Sequence, residues 1–101
     1  AAIILATSHF TLASDMADEV RAAFMQRPHH VDQAPGFIRM EVVSPLDQPR
    51  EFWLLTWWRT AADFETWHRS HAFHDSHAGI PKGLKLVPKS TAIRLFELVA
   101  E

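Results

Sequence analysis

Apolar and polar positions alternate loosely from Ile3 to Leu12. Ile4, Ala6, Ser8, Phe10 and Leu12 fall on one side, and Thr7, His9 and Thr11 on the other. A two-residue period predicts a strand. The period then changes. Met16, Val20, Ala23 and Phe24 stand at i, i+4, i+7 and i+8, one face of a helix. Ser14 is the candidate N-cap, with Asp15 and Asp18 in the first turn, and Pro28 ends or kinks the helix. "APGF" at 34–37 signals a turn. A strand follows from Phe37 to Val43, closed by Ser44 and Pro45. The polar loop "LDQPR" leads into "EFWLLTWW", Glu51 to Trp58. This strand does not alternate, and a strand apolar on both sides is expected to be covered on both sides.

Beyond it, Thr60 is a candidate cap with Asp63 three residues on, a weaker capping box. Phe64 and Trp67 share one side of the helix so opened. Ser70 could cap a second short helix ending near Ala78 and Gly79. A Pro- and Gly-containing loop and a strand from about Thr91 to Val99 complete the chain. The order β-α-β-β-α-β predicts an α+β, ferredoxin-like fold, with helices on one face of a four-stranded antiparallel sheet. The other face then needs a cover. A second copy of the same sheet is the simplest one, which predicts a homodimer with sheets packed face to face.

Composition strengthens that expectation. The chain has 101 residues, the size of one domain spanning 1–101, yet carries four tryptophans and seven phenylalanines. Its formal net charge is −2 and no basic run appears, so nucleic acid is not an expected partner. Without cysteine, a disulfide framework, a thiolate metal site and a catalytic thiol are excluded. No stretch approaches the ~20 apolar residues of a membrane span. The opening "AAIILA" lacks the basic flank of a signal peptide, and a start on Ala reads as processed or trimmed. The expected location is the cytoplasm.

"WHRSHAFHDSH", 67–77, holds His68, His71, His74 and His77 at every third position. On a helix over 70–78, His77 lies about 40° from Phe73, His74 about 100° away, and His71 about 160° away. The four therefore do not converge as a zinc site requires. His68, His71 and His74 read as a solvated polar face. His77 alone looks inward, beside Phe73, where a helix opens into a Gly-containing loop. Trp67 at helical spacing from Phe64 is, by periodicity alone, a core residue.

The stretch T-x-W-R-T-x-x-x-F-x-x-W-x-x-S-x-x-F-x-x-x-H, Thr56 to His77, resembles the antibiotic-biosynthesis-monooxygenase superfamily, and within it the haem-degrading, IsdG-type branch. "PGF" at 35–37 and "SHFTL" at 8–12 belong to the same pattern. The resemblance implies a ferredoxin-like protomer that pairs into a dimeric α/β barrel. It implies haem as both substrate and cofactor, opened with dioxygen and an external electron donor so that iron is released. His77 would bind the haem iron, Trp67 would press on the porphyrin, and Phe64 and Phe73 would line the slot. Ser8 stands where these proteins carry an asparagine directed at the distal side of the haem. A hydroxyl is shorter than an amide and has fewer donors, so the departure bears on turnover more than on binding. Neutral imidazole suits iron, and a haem needs a large apolar slot with few polar groups. Arg21 and Arg27 are too weakly placed in sequence to be assigned to the propionates. Two other functions compete: cofactor-free oxygenation of a polycyclic aromatic or quinol, and a non-catalytic dimeric haem-binding module.

Overall fold

The structure is a computed structural model and describes residues 3–26, 31–70 and 92–101. Its elements are β1 (Ile4–Thr11), α1 (Ala17–Met25), a 3-10 turn (Val31–Gln33), β2 (Phe37–Val43), β3 (Glu51–Trp58), α2 (Ala61–His68) and β4 (Ala92–Glu97). The strands form one antiparallel sheet in the order β2-β3-β1-β4, the ferredoxin-like α+β arrangement. The proposed helix after Ser70 lies outside the described residues. Among the described residues no helix is long and apolar enough to cross a membrane.

Register fixes which side chains share a face, because residues directly opposite in an antiparallel pair point the same way. Ile4, Ala6, Ser8 and Phe10 oppose Trp58, Thr56, Leu54 and Phe52 on β3. That face carries the helices, and its core divides into two clusters. One joins Ala6, Val31, Trp58 and Trp67, flanked by Ile4, Phe37, Met40 and Phe64. The other joins Leu12, Val20 and Phe52, flanked by Phe10, Ala17, Phe24 and Val42. Phe37 and Met40 are three apart, which in a regular strand would put them on opposite faces. A register shift between Phe37 and Arg39 lets both face the helices.

The opposite face is not covered by any described element. It presents Leu5, Trp53, Leu55 and Trp57, all half-buried, with Phe96 exposed at one side. His9 stacks on Trp53 at 4.4 Å. Trp57 donates to Glu41 Oε1 at 3.1 Å, Arg39 pairs with the same oxygen at 3.5 Å, and the Arg39 guanidinium lies 4.7 Å from the Trp57 ring centre.

Two expectations are corrected. Ser14 does not cap α1: the helix starts after Met16, no side chain caps it, and the Ser14 hydroxyl is buried without a partner. The preceding turn is held elsewhere, by Leu12 N–H on the Arg50 carbonyl at 2.8 Å and by Asp15 on Arg50 at 3.3 Å. His68 is not an idle solvated side chain either. It is half-buried and stacks on Phe64 at 5.6 Å.

The turn at 34–37 is a tight junction. Phe37 N–H bonds the Ala34 carbonyl at 3.1 Å, with Pro35 and Gly36 central and Gly36 at φ +81°, a type II turn. The Gly36 carbonyl accepts from Arg59 N–H at 2.8 Å. A Cβ on Gly36 would collide with the Asp63 carboxylate in the first turn of α2. Gly36→Ala is therefore expected to destabilise the fold by at least the roughly 1–2 kcal/mol of a left-handed non-glycine residue, read as a lower urea midpoint at unchanged slope. An unchanged midpoint would refute the close packing.

Candidate functional site

α2 delivers the site's aromatic wall. Thr60 caps it, accepting from Asp63 N–H at 3.1 Å, as the sequence predicts. Phe64 and Trp67, three residues apart, then face the sheet. Phe64 meets Trp58 edge-on at 5.8 Å, and Phe37 meets the same ring edge-on at 5.5 Å. Trp67 is 8% exposed and packs into the cluster of Ala6, Val31 and Trp58. The Ser70 hydroxyl closes the helix end on the Trp67 carbonyl at 2.6 Å.

Beneath this wall lies a buried polar relay. Trp58 has no exposed surface, and an indole N–H in such a position needs an acceptor. It finds Thr56 Oγ1 at 2.8 Å, two residues back on the same face. The Thr56 hydroxyl in turn donates to the Ala6 carbonyl at 3.4 Å. This explains chemically why threonine and tryptophan sit two apart at the end of β3.

Ser8 stands at the junction of the two clusters. Ala6, on one side of it, belongs to the Trp67 cluster, and Phe10, on the other, packs against the Phe52 cluster. Across the sheet Ser8 opposes Leu54 on β3 and Ile93 on β4. Its hydroxyl makes no hydrogen bond within the described structure. Ile93 is 49% exposed and Leu95, on the same face, 42%. Apolar surface is thus left open beside an unpartnered hydroxyl and next to the cluster that holds Trp67. Such a surface suits a flat apolar ligand that needs one or two hydrogen bonds.

The structure therefore brings Ser8, Phe64 and Trp67 to one side of the sheet. Phe73 and His77 lie outside the described residues, as do His71, His74 and Arg27. Among the described residues no group of three His, Asp or Glu is arranged to hold a metal ion. Sequence reasoning missed Leu54, Ile93 and Leu95 as neighbours of Ser8, because only strand register reveals them. It also missed Val31, a buried residue in a short 3-10 turn with no period to mark it.

Residues 3–79 match the family described as antibiotic biosynthesis monooxygenase. A staphylobilin-producing haem oxygenase of Staphylococcus haemolyticus is 27% identical over 77 residues, covering 74% of this chain and 73% of that protein. Two solved structures share the fold. The haem degrader MhuD of Mycobacterium tuberculosis, with two haems bound in its active site, superposes with a TM-score of 0.78 at 20% identity over 97% of each chain. SnoaB of Streptomyces nogalater, a cofactor-independent oxygenase, superposes with a TM-score of 0.68 at 15% identity, over 100% of this chain and 95% of that one.

Replacing Thr56 by Val keeps the side-chain shape but leaves the Trp58 indole without its acceptor. The expected cost is about 1–3 kcal/mol, measured by denaturant unfolding. Thr56→Ser retains the hydroxyl and should recover part of it. Equal stability of Thr56→Val and wild type would show that the relay contributes nothing.

Proposed function

The chain belongs to the antibiotic biosynthesis monooxygenase family, and from that premise we propose that it is a haem-binding monooxygenase that opens haem oxidatively and releases iron. Haem would be its substrate and cofactor, with dioxygen and an external electron donor as co-reactants. The observation that carries the reading is the unpartnered Ser8 hydroxyl on an open apolar strip, on the same sheet face as the Trp67 wall. The kinship with a haem oxygenase supports the same choice of ligand.

The residues fit such a ligand. A porphyrin is a broad apolar plate, and Leu54, Ile93 and Leu95 offer it apolar floor, with Phe64 and Trp67 bounding that strip on the α2 side. His77 is the assigned iron ligand, through a neutral imidazole, and Phe73 is assigned to the lining. Haem iron would supply the redox chemistry. Trp67, held by its cluster, acts as a rigid wall that limits where the plate can lie flat. Ser8 offers one hydrogen bond towards the distal side, with a shorter reach than an amide.

Ser8 also gives weight to a second reading. With asparagine absent, the same strip could hold a polycyclic aromatic or quinol for cofactor-free oxygenation, the activity type named for SnoaB. A haem-binding module without turnover is the third outcome. For the uncovered sheet face we propose a second copy of the chain, since Leu5, Trp53, Leu55 and Trp57 form one apolar surface there.

Titration with haem is expected to give a saturable Soret shift in wild type and none in His77→Ala. A reductant under air should then consume the Soret band and release chelatable iron. Ser8→Asn should raise that rate by roughly an order of magnitude, less than the 10²–10³ of a fully deleted donor. A rate that is unchanged or lower would remove Ser8 from the mechanism. No shift, or one indifferent to His77, would defeat the haem reading, and oxygen uptake with a quinol would then favour the second. Light scattering at micromolar concentration is expected to give twice the protomer mass, and a monomer would rule out the pairing.

A further inference from the structure

One row of the uncovered sheet face has an acid at one end and a base at the other. Glu41 of β2 opposes Leu55 of β3, Leu55 opposes Thr7 of β1, and Thr7 opposes Arg94 of β4. All four side chains point away from the helices, since residues directly opposite in an antiparallel pair share a face. Three strand spacings, about 14 Å, separate Glu41 from Arg94. The two do not pair within one chain.

Each keeps an open position. The Arg94 guanidinium lies 5.1 Å from the Phe96 ring centre and has no carboxylate partner among the described residues. Arg39 balances the charge of Glu41, yet Arg39 at 3.5 Å and the Trp57 indole at 3.1 Å both address Oε1, and no described group addresses Oε2. A carboxylate accepts on both oxygens, so a second cation has a place there.

Two such faces can be related by a two-fold axis in two simple ways. With the axis across the strands, each edge meets itself, and the unmatched Arg94 side chains of both copies gather along one edge. Like charges so placed oppose association. With the axis along the strands, the edges exchange. β4 then lies over the partner's β2 with the rows in step, because such an axis leaves position along a strand unchanged. Arg94 meets the partner's Glu41, and by symmetry Glu41 meets the partner's Arg94. Phe96, in the row of Trp57 and Arg39, is brought to the partner's Arg39, a cation on a ring. Packed sheets lie about 10 Å apart, a gap that an arginine and a glutamate bridge when extended towards each other.

We propose that two copies of this chain pair about a two-fold axis along the strands, held in register by two symmetric Arg94–Glu41 ion pairs, one at each edge of the interface. This rests on the second-copy reading of the face, and adds the orientation of the two sheets and the residues that set it.

The chain has no cysteine, so introduced cysteines report without background. A mixture of Glu41→Cys and Arg94→Cys chains treated with a short bismaleimide should give a covalent dimer, and neither variant alone should. Separately, Arg94→Gln and Glu41→Gln should each weaken the dimer by about tenfold at low ionic strength, the factor that two exposed ion pairs support. The double variant should be no weaker than either single one. Rising salt should weaken the wild-type dimer and leave that of Arg94→Gln unchanged. Both side chains are exposed, so these variants retain the core. Cross-linking of Arg94→Cys alone, a dimer that the mixture fails to cross-link, or additive losses in the double variant would overturn the arrangement while leaving the pairing of the sheets standing. A wild-type monomer in light scattering would defeat the pairing itself, and the arrangement with it.

Discussion

The arrangement rests on the complete burial of Trp58. A ring of that size cannot be enclosed by one element, so three converge on it. Phe37 of β2 and Phe64 of α2 meet it edge-on, and β1 brings Ala6 alongside, small enough to leave room. The cost of enclosing an indole N–H is met within the same strand by Thr56, whose hydroxyl is anchored on β1. Trp67 packs against the assembly that Trp58 organises. The candidate site inherits its position from this core, in which Trp67 is held at 8% exposure.

Position along the chain matters as much as composition. The type II turn at Ala34–Phe37 sits where β2 begins, receives the backbone of Arg59 just after β3, and lies against Asp63 of α2. The start of β2 is thereby pinned to the β3–α2 connection, which is distant from it in sequence. Glycine at 36 is required twice over, by its positive φ and by the carboxylate that occupies the space of a side chain.

Much of this was legible in the sequence. β2 and β3 announced themselves by dense β-branched and aromatic runs between turn signals, and α2 by Thr60 with Asp63 three residues on. The face carrying Ser8 followed from alternation alone. What failed was whatever depended on distant partners. Ser14 has the chemistry of a cap, but the turn around it is drawn to Arg50 at the start of β3, so α1 begins later. His68 looked like one of a row of solvated histidines because the stacking ring of Phe64 is visible only once the helix is formed. Val31 sits among polar neighbours, and nothing in a local window marks it as buried. The neighbours of Ser8 across the sheet depend on register, which no single strand encodes. The resemblance carried by Thr56 to His77 reached the family, while the geometry of Phe73 and His77 lies outside the described residues.

The open sheet face has one further property. Its charges are matched on one side and not on the other: on β2 and β3 the Trp57 indole and the Arg39 guanidinium both address Glu41, and Arg39 also covers the Trp57 ring, whereas Arg94 of β4, opposite Thr7, lies over Phe96 with no carboxylate partner among the described residues. Whatever covers this surface meets a neutral patch on the β2 side and one unmatched cation, Arg94, on the β4 side. Recognition across it would be governed by contour on the β2 side and by sign at Arg94, where added salt would weaken it.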